Sequence, residues 1–171
     1  DDITDRLPEC GEAVAALPGG DLVLDGEAIV LRADGSPAPF QVTGSRTASS
    51  ADPDRMRAET PLTTYLFDVL HADGRTLLDE PFTVRHDVLS ELAPHLLVPR
   101  TRAADAAAAD AFFDQLVAAG HEGVVVKAAD APYAAGRRGS AWVKVKPRHT
   151  LDLVVLAVEH GSGRRRGTLS N

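Results

Sequence analysis

Leu24-Asp25-Gly26-Glu27-Ala28-Ile29-Val30 is apolar at its C-terminal end and carries two carboxylates separated by one glycine. In a strand successive side chains point to opposite faces, so Asp25 and Glu27 are expected on one side. Two neighbouring carboxylates can hold a divalent ion or accept hydrogen bonds from ribose hydroxyls. An exposed turn is the plainer reading of an Asp-Gly-Glu tripeptide, and from these residues alone both stay open. Gly26 between them lets another backbone or a ligand come close. Strand character runs from Asp21 to Ala33, where Ala33-Asp34-Gly35-Ser36 signals a turn.

Outward from this strand the chain alternates between helical and extended patterns. Upstream, Pro8 suits a helix's first turn, Val14 and Leu17 supply the apolar spacing, and Pro18-Gly19-Gly20 stops it. Downstream, residues 36–54 are dense in Pro, Ser, Thr and Gly and read as a surface loop. Thr63 to Leu70 is a second strand, followed by an Asp73-Gly74 turn. Pro81 to Leu92 is predicted helical, with Val84, Val88, Leu89 and Leu92 on one face. Leu96 to Val98 reads as a short strand. Asp105 to Ala119 is the strongest helix, with Asp105 as cap and Gly120 as stop. Glu122 to Ala128, Ser140 to Pro147 and Leu151 to Val158 are further strands. Without strict βαβ alternation, and with two Asp-Gly turns, an α+β domain with antiparallel sheets fits best.

Composition narrows the function classes. The 171 residues carry a net charge of −7, and 44% of them are hydrophobic, which suits a soluble globular chain. The longest aliphatic run, Leu153 to Val158, is too short to cross a bilayer. A lone Cys10 excludes an intramolecular disulfide framework, and with no basic-then-apolar leader the expected compartment is the cytoplasm. The acidic total argues against a protein that coats nucleic acid but leaves room for an enzyme with a cationic cleft. Basic residues crowd the last third. Of eighteen, fifteen are arginine, and the three lysines are Lys127, Lys144 and Lys146. The six histidines show no metal-ligand spacing, and no phosphate-binding P-loop pattern occurs.

Three further segments carry chemistry. In Ser140-Ala141-Trp142-Val143-Lys144-Val145-Lys146-Pro147, alternation puts Trp142, Lys144 and Lys146 on one face and Ala141, Val143 and Val145 toward the core. Two ammonium groups roughly 7 Å apart repel unless an anion sits between them, and a phosphate chain would serve. A lysine-protected edge strand is the bland alternative. In Thr64-Tyr65-Leu66-Phe67-Asp68-Val69-Leu70, Tyr65, Phe67 and Val69 share a face and Asp68 takes the other. Phe67 is either a core ring or a platform for a purine. In Glu122-Gly123-Val124-Val125-Val126-Lys127, Glu122 stands at the sheet rim, where metal ligands often sit. Alternation sends Lys127 to the opposite face, so the two share no pocket unless a bulge intervenes.

The order Asp25-Gly26-Glu27, Phe67-Asp68, Glu122-Gly123-x-x-x-Lys127, Arg138-x-x-x-Trp142-x-Lys144-x-Lys146 resembles motifs III, IIIa, IV and V of the ATP-dependent DNA ligases. These are covalent nucleotidyltransferases. Leu31-Arg32-Ala33-Asp34-Gly35, Pro39-Phe40-Gln41 and His71-Ala72-Asp73-Gly74-Arg75 resemble the bacterial branch. The resemblance implies an ATP-grasp-like adenylation domain over residues 1–149 and the opening strand of an OB-fold within 150–171, at Leu151 to His160. It implies that Glu27 binds ribose or metal, Phe67 stacks on adenine, and Glu122 helps hold Mg²⁺. By the same resemblance Arg138 and Lys144 contact the nucleotide, and Lys146 stabilises charge on the α-phosphate. Asp25, Lys127 and Trp142 are secondary candidates.

The family reaction passes AMP from ATP to a lysine, then to the 5′-phosphate of nicked double-stranded DNA. The 3′-hydroxyl then attacks and releases AMP. The partners implied are ATP, Mg²⁺ and nicked DNA, with no membrane, a monomeric state and a nucleoid-associated cytoplasmic location. One departure stands out. The family nucleophile lies in Lys-x-Asp-Gly, and none of the three lysines here is followed by x-Asp-Gly. The chain is therefore expected to be an adenylation-domain fragment, inactive alone. An RNA ligase or capping guanylyltransferase shares the layout. A non-catalytic nucleotide- or DNA-binding fragment and an unrelated α+β domain are the competing readings.

Overall fold

A computed structural model of the chain describes residues 2–134, 141–148 and 150–170. The elements run α1 (Pro8–Ala15), β1 (Leu22–Val30), α2 (Phe40–Ala48), α3 (Pro53–Glu59), β2 (Leu62–Ala72), β3 (Arg75–Thr76), α4 (Phe82–Leu92) and α5 (Ala106–Ala118). After these come β4 (Val124–Lys127), β5 (Trp142–Val145), β6 (Glu159–His160) and β7 (Leu169–Ser170). All strand pairs within the sheets are antiparallel: β1-β2-β3, β4-β5 and β6-β7. The α+β expectation holds at that level.

β2 is the spine of the molecule. It pairs with β1 from Leu22↔Ala72 to Val30↔Leu62, and with β3 through a turn in which Asp73 and Gly74 both adopt positive φ, 48° and 77°. That backbone favours Asp-Gly, because glycine carries no Cβ penalty there and aspartate tolerates it. The Asp73 carboxylate also accepts from the Gly20 amide at 2.7 Å, which ties the turn after α1 to the hairpin. Helix α4 covers β2. Leu66, Val69, Leu77, Leu89 and Ala93 form the main core, bordered by Leu24, Val88 and Leu92. A second core joins Leu7, Val30 and Leu62. Helix α5 is capped as expected, with Asp105 accepting from the Ala108 amide at 2.8 Å, and Gly120 beyond it at φ 89°.

Four expectations are corrected. Residues 36–54 are not a plain loop: they contain α2 and the start of α3. Helix α2 carries Gly44 and two threonines, poor helix formers, so its formation rests on tertiary contacts. Thr43 and Arg46 are buried, and the Thr43 hydroxyl accepts from the Val30 amide at 3.1 Å. Leu96 to Val98 makes only an isolated parallel bridge, Leu66↔Leu97. Leu151 to Val158 forms no strand; its aliphatic side chains are exposed, Leu156 by 92%. Val143 and Val145 do not enter the core, being 47% and 38% exposed. The β4-β5 sheet has only two strands, and among the described residues no further layer covers its valine face. No helix is long and apolar enough to cross a membrane among the described residues.

Candidate nucleotide-binding site

The site grows from an irregularity in β2. Pairing passes from Asp25↔Asp68 to Gly26↔Leu66, so Phe67 is an extra residue with no partner on β1. Such a bulge bends the strand and re-aims its side chains. Strict alternation fails there: Asp68 and Val69, adjacent in sequence, are both fully buried. Gly26 is required at this point. A Cβ on it would lie 2.4 Å from the Tyr65 carbonyl oxygen and 2.8 Å from Leu66, so the close backbone approach expected of it is real.

Asp68 is a buried carboxylate and needs a cation. Arg85 of α4 supplies one, with Nε donating to Oδ1 at 2.7 Å and Nη2 to Oδ2 at 3.0 Å, both side chains fully buried. Its Nη1 donates to the carbonyls of Glu80 (2.6 Å) and Ala131 (3.1 Å). Every guanidinium nitrogen is thus satisfied, as burial of a charge demands. Sequence reasoning missed Arg85, although a signal was present: it stands four residues before Leu89, on the buried stripe of α4. An arginine there must find an acid.

Lys127, at the end of β4, comes to the same place. Its Nζ donates to the Phe67 carbonyl at 2.9 Å and lies 3.7 Å from Asp68 Oδ2. The ammonium sits 4.1 Å from the Trp142 ring centroid, 4.6 Å from Phe82 and 5.2 Å from Phe67. Burial pushes its pKa down, opposed by the charges of Asp68 and Asp25. Tyr133, also missed from sequence, completes the cluster. Its hydroxyl donates to Asp25 Oδ2 at 2.8 Å, and its ring meets Trp142 edge-on at 5.5 Å. Desolvation first, and then the hydrogen bond to Asp25, push the phenol up to about 12.

A second group of charges lies at the other end of the β4-β5 ribbon. Glu122 accepts from Lys146 Nζ at 2.7 Å in an exposed ion pair. The hydrogen bond from Lys146 leads in holding the Glu122 carboxyl below its ordinary range, and the nearby charge of Lys144 adds to it. The anion needed between two lysines is therefore partly supplied by the protein itself. Gly123 makes this possible. At φ 146° it breaks the alternation, and a Cβ on it would fall 2.1 Å from the Val145 carbonyl oxygen. Lys144, Val145, Lys146, Pro147 and Arg148 line an open cationic groove of about 540 Å³.

The structure thus brings Asp25, Phe67, Lys127 and Trp142 together, and separately Glu122 with Lys144 and Lys146. Glu122 and Lys127 share no partner. Glu27 joins neither group: it is exposed and has no ion-pair partner among the described residues. Arg138 lies outside the described residues. No cluster of three or more His, Cys, Asp or Glu side chains suited to a metal occurs among the described residues.

This antiparallel α+β frame is similar to that of solved DNA ligase domains. The ligase domain of M. tuberculosis LigD matches with a TM-score of 0.64 and 32% identity, over 85% of this chain and 45% of that one. Mycobacterial DNA ligase D complexed with ATP and MES matches with a TM-score of 0.62 and 32% identity, over 84% of this chain and 42% of that one. The sequence pattern of the ATP dependent DNA ligase domain covers residues 1–146. A probable DNA ligase of Beutenbergia cavernae is 61% identical over the whole chain, and one of Mycobacterium marinum 58%. The chain belongs to the ATP-dependent DNA ligase domain family. It spans about a third of the length of these curated relatives, 33% and 34%.

Proposed function

We propose that the protein to which this chain belongs seals nicks in double-stranded DNA, using ATP and passing through lysyl-AMP and DNA-adenylate. Residues 1–149 act as the adenylation domain, and residues 150–171 open an OB-fold. The observation that carries this reading is the meeting of Lys127 with the rings of Phe67 and Trp142 at one end of the β4-β5 ribbon, whose other end carries a groove lined by Lys144 and Lys146. Aromatic surface at one end of a ribbon and concentrated positive charge at the other suit a purine nucleotide, whose base stacks while its phosphates seek cations.

In this assignment Phe67 stacks on adenine, and Glu27 accepts from the ribose. Arg138 and Lys144 contact the nucleotide, while Lys146 neutralises charge that builds on the α-phosphate. Asp25 serves indirectly, because its carboxylate orients Tyr133. The metal fits the donors present. Mg²⁺ takes hard oxygen ligands and is usually held by one or two carboxylates plus substrate phosphates. Glu122 and Glu27, which do not meet among the described residues, are the carboxylates assigned to it, with substrate phosphates supplying the other oxygens, and its role when bound would be to draw electron density from the phosphates. Glu122 would then release Lys146, leaving that ammonium free for phosphate. The location proposed is the cytoplasm, near the nucleoid, with the protein acting as a monomer.

Labelled ATP with Mg²⁺ tests the reading at two levels. The 171-residue chain, with no Lys-x-Asp-Gly, should bind nucleotide without acquiring acid-stable covalent label. The whole protein should acquire label and seal a nicked DNA duplex. Covalent labelling of the chain itself would overturn the first expectation. Sealing of RNA nicks only would move the assignment to an RNA ligase.

A further inference from the structure

We propose that Glu122 is a specificity-determining residue that competes with polyphosphate for Lys146, so that the cationic groove favours a nucleotide carrying a divalent cation over a metal-free one. The inference rests on the nucleotide reading above and adds to it what selects the form of the ligand.

Three observations carry it. Lys144, Lys146 and Arg148 all line the groove, yet Lys146 alone of them is ion-paired among the described residues, donating to Glu122 Oε2 at 2.7 Å. The stretch from Ala141 to Leu151 holds no acid of its own, so this counter-charge is brought in from the other side of the ribbon. The backbone builds the approach. The β4-β5 ladder closes at Val124↔Val145, and one step beyond it Gly123 turns to φ 146°. A Cβ there would lie 2.1 Å from the Val145 carbonyl oxygen and 3.1 Å from the Lys146 Cα. Only glycine tolerates both that angle and that contact, and the result sets Glu122 beside a lysine 24 positions away.

An exposed pair of this kind stabilises a fold little. Its effect falls on whatever else seeks the ammonium. A metal-free polyphosphate must displace the carboxylate from Lys146 and then faces it as a like charge. A polyphosphate that carries Mg²⁺ offers Glu122 a cation in exchange for the ammonium, so the pair opens without leaving the carboxylate uncompensated. Lys144 and Arg148 stay available to either form.

Isothermal titration calorimetry of the 171-residue chain at one fixed ionic strength tests this, with ATP in Mg²⁺ and ATP in EDTA as the two ligands. The unmodified chain should bind the Mg²⁺ form more tightly. Glu122→Gln should bind metal-free ATP about two- to fivefold more tightly than the unmodified chain does, and its preference for the Mg²⁺ form should shrink. The gain should persist when Glu122→Gln is combined with Lys144→Met and vanish when it is combined with Lys146→Met. All three side chains are exposed, so far-UV circular dichroism should not change in any variant. Unchanged metal-free affinity in Glu122→Gln overturns the competition alone. So does an equal gain in the Lys146→Met background, which would make Glu122 a general source of negative field rather than a partner of one lysine. A preference for metal-free ATP in the unmodified chain overturns it as well. No binding of ATP in either form overturns the nucleotide reading and this inference with it.

Discussion

Arg46 and Arg85 are both almost fully buried, and each is paired with a carboxylate while donating to two backbone carbonyls. Arg46 of α2 binds Glu9 of α1 at 3.0 Å and the carbonyls of Thr60 and Arg6 at 3.1 and 3.0 Å. Glu9 also accepts from the Leu62 amide at 3.1 Å. That network is closed. One cation meets one anion, every group is used, and it staples α1, α2 and β2. Around Arg85 the same motif is left open. A second cation, Lys127, a second carboxylate, Asp25, and the rings of Phe67, Phe82, Tyr133 and Trp142 crowd the pair. A buried ion pair by itself marks construction; the surplus of charge and aromatic surface is what makes the second cluster a candidate site.

The contrast breaks first at Arg85. Arg85→Met leaves the fully buried Asp68 carboxylate with the Val69 amide and, at 3.7 Å, Lys127, and should cost about 3–5 kcal/mol in urea unfolding. Arg46→Met should cost less, about 2–3 kcal/mol, because Glu9 has some access to water while Asp68 has none. It should leave ATP binding intact. If it abolishes binding, the two networks are not separable as described.

Smaller effects sharpen the picture at the open network's edge. Tyr133→Phe removes the hydrogen bond to Asp25 and should cost about 1 kcal/mol. The phenol's pKa is raised on folding, so its contribution is intact below pH about 10 and lost as pH climbs through about 12. Ultraviolet titration of the two tyrosines should show one of them ionising late, and Tyr133→Phe should delete that step. Glu122→Gln should be the mildest in stability, since its ion pair with Lys146 is exposed. Its folded pKa is depressed, so the small contribution it makes is present above the ordinary carboxylate range and fades as pH falls through the lowered value. The unfolding midpoint near neutral pH should not move, whereas Mg²⁺-dependent nucleotide binding should weaken.

Much of the frame was legible from local chemistry. Alternation located β1 and β2, Asp73-Gly74 located their neighbouring hairpin, and Asp105 with Gly120 bounded α5, because strand period, turn backbone and helix caps depend on residues near in sequence. α2 was not legible. Its residues prefer loops, and tertiary contacts, the burial of Arg46 against Glu9, 37 positions away, and of Thr43 against Val30, make the helix worthwhile. The exposed stretch Leu151 to Val158 misled in the other direction: aliphatic, β-branched sequence suggests a strand, yet a strand requires a partner.

The candidate site divides along the same line. Sequence alone supplied the candidate side chains and their order, since Asp25-Gly26-Glu27, Phe67-Asp68, Glu122-Gly123 and Trp142-x-Lys144-x-Lys146 are local patterns. Tertiary structure alone decided their company. The Phe67 bulge set aside strict alternation, Arg85 and Tyr133 arrived from segments with no motif, and Lys127 turned toward the aromatic rings while Glu122 turned to Lys146. The physical reason is that a charge removed from water must find its counter-charge and donors in three dimensions, and no one-dimensional spacing records where they will be.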